Sequence, residues 1–114
     1  MSDCLFCRII KREIPASIVY EDEHMLAFKD IDPQAPTHLL VVPKRHIASL
    51  NELQPGDDQL VGEIVRRAAV LAGEHGISER GFRTLFNTNR DAGQTVFHIH
   101  LHLLGGRTMT WPPG

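Results

Sequence analysis

Residues 98–104 read His-Ile-His-Leu-His-Leu-Leu and place three histidines at alternate positions. This alternation is the period of a β-strand, so we expect His98, His100 and His102 on one face and the aliphatic side chains between them on a packed face. Same-face residues repeat every ~6.6 Å along a strand, which brings three imidazoles within reach of one small substrate or ion. Because imidazole titrates near neutrality, such a row can supply a nucleophile, an acid, a base or a metal ligand.

Two kinds of chemistry stay open for this run of histidines. A His-x-His pair with one further ligand is a known way of holding a catalytic zinc that keeps an open position for water. A neutral imidazole can instead act as a nucleophile and form a covalent intermediate with a substrate. Two other histidines carry less information, because His24 falls in a predicted turn and His75 at a predicted helix end. We expect both of them to be exposed to solvent.

Cys4 and Cys7 are the two cysteines of the chain and form a Cys-x-x-Cys motif. A disulfide between them would close a very small loop and stabilise little. A thioredoxin-like redox pair follows a strand, whereas only three residues precede Cys4. The spacing also suits half of a zinc site that two histidines complete. The spacing alone leaves a zinc site and two incidental thiols as equal alternatives.

The rest of the chain predicts the elements that must position these residues. Turn-forming residues separate β-rich runs at residues 18–21, 25–28, 38–42, 82–87 and 98–104. Apolar periodicity predicts a short helix over residues 4–11 and a long helix from Asp57 or Asp58 to about His75. Residues 87–95 read as a polar loop. We therefore expect one α+β domain, residues 1–114, with a mainly antiparallel five-stranded sheet.

Composition and charge limit the partners. The chain has 12 lysines and arginines against 14 aspartates and glutamates, a formal net charge of -2, and it contains no basic block. This balance argues against a general nucleic-acid binder. The apolar stretches are too short to span a membrane, and no signal peptide is visible. We expect a cytoplasmic protein that holds any phosphate-bearing ligand locally.

These residues resemble the histidine triad family. The run at 98–104 matches the family's His-φ-His-φ-His-φ-φ motif. Three more segments are similar to its nucleotide-binding branch, often called Hint: DIDPQAPTHLLVVPKRHI at 30–47, FNTNRDAGQTVFHIHLHLLGGR at 86–107 and WPPG at 111–114. His102 resembles the third histidine of the hydrolase branches, since the nucleotidyltransferase branch carries glutamine there. The resemblance implies hydrolysis of purine nucleoside phosphoramidates and related aminoacyl-adenylates, with no metal needed for catalysis.

The resemblance also implies roles for individual residues. His100 matches the nucleophile, whose second ring nitrogen is held by the backbone carbonyl of His98. His102 matches the group that hydrogen-bonds the phosphate, and His38 matches a fourth histidine that orients the nucleophile and helps to relay a proton. The nucleotide-binding positions carried over are Asp30 for the ribose, Asn87, Gly93, Gln94 and Thr95 for the phosphate, and Leu5, Phe6, Ile9, Phe28, Ile31 and Leu40 for the purine.

Two further expectations come from the same resemblance. Family members that carry the N-terminal Cys-x-x-Cys hold zinc with two histidines, so the implied ligands are Cys4, Cys7, His46 and His98. Such a Cys₂His₂ site is closed and structural. In the family the tail that contains Trp111 crosses to the partner's active site, which implies a two-fold homodimer with joined sheets. A nucleotide-sensing binding module with incidental hydrolysis is the alternative function.

Overall fold

The structure, a computed structural model, describes residues 3–114, so the predicted domain start at residue 1 lies outside the described residues. The strands are β1 (Ile18–Glu21), β2 (Met25–Lys29), β3 (Thr37–Pro43), β4 (Phe82–Leu85) and β5 (Leu101–Gly105). The helices are α1 (Leu5–Ile10), α2 (Asp58–Glu74) and α3 (Asn89–Ala92), and 3₁₀ turns lie at Leu50–Glu52 and Pro55–Asp57. The predicted α+β fold, with one long and one short helix, is confirmed.

One antiparallel sheet holds all five strands, in the order β1-β2-β3-β5-β4. The last strand in the chain, β5, is inserted beside β3, which joins two distant segments of the sequence. Their register pairs Leu40 with His102 and His38 with Leu104. Directly opposed residues share a face and side chains alternate along a strand, so His38 and His102 are diagonal neighbours on one face.

Both faces of the sheet are packed. On one face α2 covers a large apolar cluster that includes Ile64, Leu71, Leu101 and Leu103, all at most 1% exposed. On the other face α1 brings Phe6 and other apolar side chains against the strands; this cluster contains Phe6, Ile9, Leu26, Phe28, Leu40 and Val42. The face that carries the histidines is therefore packed as well, with His98 0% and His100 8% exposed.

The strand that carries the histidines begins later than predicted. The predicted strand covers residues 98–104, whereas β5 begins at Leu101, so His98 and His100 precede it. The neighbouring β3 ends at Pro43, which has no N–H to continue the ladder. Beyond that point the Ile99 amide donates to the Ile47 carbonyl at 2.7 Å. The histidine segment is thus held by the loop after β3 and not by a regular ladder.

One other strand boundary differs from the prediction. The strand predicted to reach residue 87 ends at Leu85, and the polar loop that follows contains the single-turn helix α3. A four-residue helix is too short to give a periodic signal. The long helix α2 begins at Asp58, as predicted, with Asp57 at its N-cap position; the Asp57 carboxylate accepts from the Gln54 amide at 2.8 Å, within the preceding turn, and pairs with Arg45. Within residues 3–114 no helix is long and apolar enough to cross a bilayer.

Candidate active site

His38 occupies a buried position on β3, where its hydrogen-bond partners fix its protonation. The backbone amide of Gln34 donates to His38 Nδ1 at 3.0 Å, so this ring nitrogen must carry a lone pair. In a neutral ring the proton is then on Nε2, which lies 2.9 Å from His102 Nδ1 and 3.4 Å from Asp30 Oδ2. Burial lowers the pKa of His38, which favours this neutral form.

His102 on β5 continues the chain of hydrogen bonds. Because His38 Nε2–H donates to His102 Nδ1, the proton of the neutral His102 ring is on Nε2. Among the described residues, this Nε2 is buried and has no hydrogen-bond partner. Burial, together with the neighbouring His100 and His38, lowers the pKa of His102 to about 4. A neutral donor is therefore available here for an acceptor that is not part of the chain.

His100 has the arrangement that a nitrogen nucleophile needs. Its Nδ1–H donates to the carbonyl of His98 at 2.8 Å, which leaves the Nε2 lone pair available. Burial lowers the pKa of His100, so the lone pair stays unprotonated near pH 7. The ring of Phe6 contacts the imidazole edge-on, with centroids 4.9 Å apart, and fixes its orientation. The His98 carbonyl can also stabilise the positive charge that His100 gains on attack.

A cavity of about 240 Å³ opens in front of these histidines. Its lining includes the polar side chains of His100, His102, Asp30 and Thr95. The apolar part of the lining contains every residue that the family resemblance assigned to the purine: Leu5, Phe6, Ile9, Phe28, Ile31 and Leu40. The structure therefore brings the predicted base-binding residues and two of the histidines together. Ile31 is 97% exposed, so it stands at the rim while Phe6 and Phe28 form the buried wall.

Asp30 lies between the cavity and the histidine pair. Its Oδ1 accepts the backbone amide of Asp32 at 2.8 Å, and its Oδ2 is 3.4 Å from His38 Nε2. The carboxylate lines the cavity, so it is placed to accept hydroxyl groups of a bound sugar. The geometry also gives Asp30 a contact with His38, which the sequence did not predict.

The predicted phosphate loop divides into two kinds of residue. Thr95 lines the cavity, whereas the side chain of Gln94 is 7% exposed and braces the loop, since it accepts from the Asn89 amide and donates to the Ala48 carbonyl. Gly93 has a φ of 80°, a conformation that favours glycine, and ends α3. The predicted ligand Asn87 is half-buried in the segment between β4 and α3 and does not line this cavity.

A second group of side chains brings together Cys4, Cys7, His46 and His98, with one ligand atom from each within 4.8 Å of the others. The separations are 3.4 Å for Cys4 Sγ and His98 Nδ1, 3.4 Å for Cys7 Sγ and His46 Nδ1, 3.6 Å for Cys7 Sγ and His98 Nδ1, and 3.2 Å for the two Nδ1 atoms. A tetrahedral zinc with ordinary Zn–S and Zn–N lengths places its ligand atoms about 3.3–3.8 Å apart. The donor set and its spacing fit zinc.

The protonation of His98 suits metal binding by this cluster. His98 is fully buried, and its Nε2–H donates to the carbonyl of Pro43 at 2.8 Å, so the lone pair is on Nδ1, toward the cysteines. Such a second hydrogen bond is the usual way of fixing the tautomer of a metal-bound histidine. Burial lowers the pKa of His98 to about 4, and burial also raises the pKa of the Cys7 thiol. The ring of His98 thus belongs to the cluster, while its backbone carbonyl accepts a hydrogen bond from His100.

Asp30, His38 and His102 form a second trio of possible ligand atoms within 4.8 Å of one another. His38 cannot offer Nε2 to a metal while the Gln34 amide occupies its Nδ1, because the neutral ring would have to lose its remaining proton. The fixed protonation therefore makes this trio a donor–acceptor chain and not a metal site.

Comparison with known proteins identifies the family. The family model described as "Scavenger mRNA decapping enzyme C-term binding" matches residues 3–111. An uncharacterized HIT-like protein of Synechocystis is 50% identical over 112 residues, which span 98% of this chain and 97% of that protein. The chain belongs to the histidine triad (HIT) family.

Two further HIT relatives give a close structure and a named activity. The crystal structure of a HIT family hydrolase from Legionella pneumophila is similar with a TM-score of 0.96 and 58% identity, and covers 98% of this chain and 100% of that one. A protein of Escherichia coli named purine nucleoside phosphoramidase is 48% identical over 107 residues, 94% of this chain and 90% of that protein. The resemblance inferred from the motifs is confirmed.

Sequence reasoning missed the residues that fix the HIT histidines through their backbones. Gln34 contributes an amide N–H and Pro43 a carbonyl oxygen. Such groups are present at almost every position, so no side-chain type signals them. The position of Gln34, four residues before a histidine at the start of a strand, is the one signal that a turn could bring the two together.

Proposed function

We propose that this HIT protein hydrolyses purine nucleoside phosphoramidates through a covalent nucleotidyl intermediate on His100. The observation that carries the proposal is that two neighbouring rings, His100 and His102, present a lone pair and an N–H donor respectively. His100 presents a lone pair on Nε2, while His102, with ring centroids 4.8 Å away, presents a buried N–H. A nucleophile beside a preorganised donor is what displacement at phosphorus requires.

In the first step the lone pair of His100 Nε2 forms a bond to phosphorus and the P–N bond breaks. The electron pair of that bond leaves with the nitrogen, which takes up a proton from solvent. His102 Nε2–H donates to a phosphoryl oxygen, where negative charge concentrates. The carbonyl of His98 stabilises the charge on the His100 ring. Water then attacks phosphorus, His100 leaves as a neutral ring, and the water proton replaces the one consumed.

The apolar part of the cavity lining supports a purine nucleoside as the substrate. Enclosing pockets for whole drug-sized ligands have volumes of roughly 300–1,000 Å³, so the cavity of about 240 Å³ suits the base and part of the sugar. The leaving amine then extends outward past His102 and Thr95. The name of the Escherichia coli relative agrees with this substrate class.

The decisive experiment is detection of the nucleotidyl intermediate. Wild-type protein is mixed rapidly with adenosine 5'-monophosphoramidate, quenched and measured by intact mass, and the adduct is mapped by peptide analysis. We expect the adduct on His100, its absence in His100→Ala, and nucleotide binding that persists in that variant. His24→Ala is the matched control, because the His24 side chain is exposed at 62% and lies outside the site. An adduct on another residue, or wild-type turnover by His100→Ala, would disprove the mechanism.

We also propose that Cys4, Cys7, His46 and His98 hold one structural zinc per chain. The spacing of the four ligand atoms and the Pro43 hydrogen bond to His98 support it. When bound, the ion would tie α1 to the segment before β5; it would supply no catalytic step, because four protein ligands leave no open position. Metal analysis of the purified chain tests the stoichiometry, and retained turnover after metal removal would agree with a structural role.

A two-fold homodimer is proposed from the edge of the sheet and the tail. β4 is an edge strand, so one side of its backbone has no partner strand within residues 3–114. Trp111 is 82% exposed in the single chain, an unusual exposure for a large aromatic side chain. Sedimentation velocity should show a dimer, and removal of residues 111–114 should alter turnover if the tail reaches the partner's site. A monomer at all concentrations would contradict this assembly.

A further inference from the structure

The loop that joins β2 to β3, residues 30–36, controls the protonation of the histidine pair. It carries the amide of Gln34 that donates to His38 Nδ1 at 3.0 Å. Inside the loop the Gln34 side chain donates to the Asp32 carbonyl at 2.9 Å, and the Asp32 amide donates to Asp30 at 2.8 Å. Gln34 itself is exposed, so its position depends on what holds the loop from outside.

The segment that directly follows β5 holds this loop. Arg107 Nε donates to the carbonyl of Gln34 at 3.0 Å. Gly106 has a φ of 91°, and a Cβ at this position would lie 2.9 Å from the Cβ of Pro36. Only a residue without a side chain allows this close approach. Arg107 therefore holds the loop at Gln34 and Gly106 packs against it at Pro36, and neither residue was a candidate site residue from the sequence.

The tautomers of His38 and His102 depend on these contacts with the loop. If the Gln34 amide left His38 Nδ1, that nitrogen could carry the ring proton and Nε2 would become an acceptor. His102 would then donate from Nδ1, and its Nε2 would lose the proton. The atom that faces the substrate would change from a donor into a lone pair, which repels a phosphoryl oxygen. A change in the tautomer of His38 thus exchanges the donor and acceptor nitrogens of both rings.

We propose that Arg107 is a positioning residue that, through the Gln34 amide, keeps the proton of His38 on Nε2 and the proton of His102 on Nε2. The kinetic part of this inference rests on the proposed hydrolysis. The part that concerns the tautomers of His38 and His102 does not rest on the proposed hydrolysis, because these tautomers are a property of the free protein. Arg107 touches no reacting atom and acts only through the loop.

The experiment measures tautomers and turnover on the same variants. In wild type, ¹⁵N NMR of the histidine rings should show His38 Nδ1 unprotonated and both Nε2 atoms protonated. In Arg107→Met, which keeps the length of the side chain but has no donor, we expect His38 to populate both tautomers and kcat on adenosine 5'-monophosphoramidate to fall about 10- to 100-fold, with KM changed less than about twofold. Arg107→Lys, which can still donate to the Gln34 carbonyl, should restore most of both readouts.

Arg80→Met is the matched control for charge. Arg80 and Arg107 line the same surface cleft, but Arg80 makes no hydrogen bond to the loop within residues 3–114. Its substitution removes the same charge and should leave the tautomers and kcat unchanged. A second pair tests the amide itself: Gln34→Pro removes the N–H, while Gln34→Ala keeps it and loses the same side chain. Only the proline variant should shift the tautomers.

The outcomes separate this inference from the proposed function. A wild-type His38 with its proton on Nδ1, or an Arg107→Met variant with unchanged tautomers, overturns the inference whatever the activity. A fall in kcat without a tautomer shift also overturns it, because the arginine would then act by another route. If wild type fails to hydrolyse phosphoramidates while the tautomers behave as stated, the positioning role stands and the proposed substrate is wrong.

Discussion

Two clusters of histidines lie a few residues apart in this protein and have opposite arrangements of protons. In the Cys4, Cys7, His46 and His98 cluster, the Pro43 carbonyl takes the His98 proton and turns its lone pair toward the sulfurs. In the pair of His38 and His102, an amide donates to the first ring, so each ring in turn accepts on one nitrogen and donates from the other. In the first cluster the lone pair of His98 points toward the other ligand atoms, whereas in the second cluster each ring accepts one hydrogen bond and donates the next.

The difference shows how the same side chain acquires two chemistries. Burial lowers the pKa of both His98 and His102 to about 4, so burial and charge do not distinguish them. The hydrogen-bond partner of the other ring nitrogen does: the Pro43 carbonyl leaves His98 with a lone pair toward the cysteines, and the His38 N–H leaves His102 with its proton on Nε2. In His100 a carbonyl also holds the Nδ1 proton, but this ring lines the cavity and is not part of the cysteine cluster.

The largest effect on stability should come from removing one ligand of the Cys4, Cys7, His46 and His98 cluster. Cys7→Ser removes one of four ligands, and we expect loss of bound zinc and of more than about 4 kcal/mol of unfolding free energy, because metal binding to such a site is coupled to folding. Metal analysis and urea denaturation measure both. His102→Ala should keep one zinc per chain and thereby separate the clusters. A Cys7→Ser protein with wild-type zinc content and urea midpoint would remove the metal centre from the comparison.

The next largest effect should come from the donor of the other cluster. His102→Ala deletes the buried N–H, and we expect kcat to fall about 10²- to 10³-fold, equivalent to ~3–4 kcal/mol of transition-state stabilisation. KM should change much less, since the donor acts where charge develops. Steady-state kinetics on adenosine 5'-monophosphoramidate measure the split. If KM rose instead with kcat unchanged, His102 would be a binding group and not a stabiliser of the transition state.

The sequence predicts the members of both clusters but not their opposite protonation. Alternation at residues 98–104 and the Cys-x-x-Cys spacing identify three histidines and both cysteines, and the family resemblance adds His38 and His46. Four of the five predicted strands differ from the observed ones by at most two residues at either end. The strand start at Leu101 could not be predicted, because it depends on Pro43 ending β3 far away in sequence. The resemblance also implied the His98 carbonyl as the partner of His100, but the backbone groups of Gln34 and Pro43 that fix the other two tautomers are signalled by no residue type.

The pH dependence of the free energy of unfolding should show the lowered pKa of His102. Its pKa is about 4 in the folded protein and about 6.5 in an unfolded chain, so the unfolded state binds more protons between these values. Stability should be constant above about pH 7 and decrease as the pH falls from about 6.5 to about 4, by up to ~3 kcal/mol from this residue. Urea unfolding of wild type and His102→Gln measures the difference, from which any contribution of the metal centre cancels. Equal slopes for the two proteins would show that His102 titrates normally.

The smallest effect should come from the residue that contacts both clusters. The ring of Phe6 meets His100 edge-on at 4.9 Å and His98 at 5.9 Å between centroids, so among the described contacts it is the one phenyl ring that touches both the proposed nucleophile and a proposed metal ligand. Phe6→Leu keeps an apolar side chain and removes these ring contacts, which are worth about 0.5–1.5 kcal/mol each. We expect about 1–2 kcal/mol lower stability, retained zinc and a few-fold lower kcat, measured by urea unfolding, metal analysis and kinetics. Loss of zinc from this variant would mean that the apolar packing, and not the Pro43 carbonyl, orients His98.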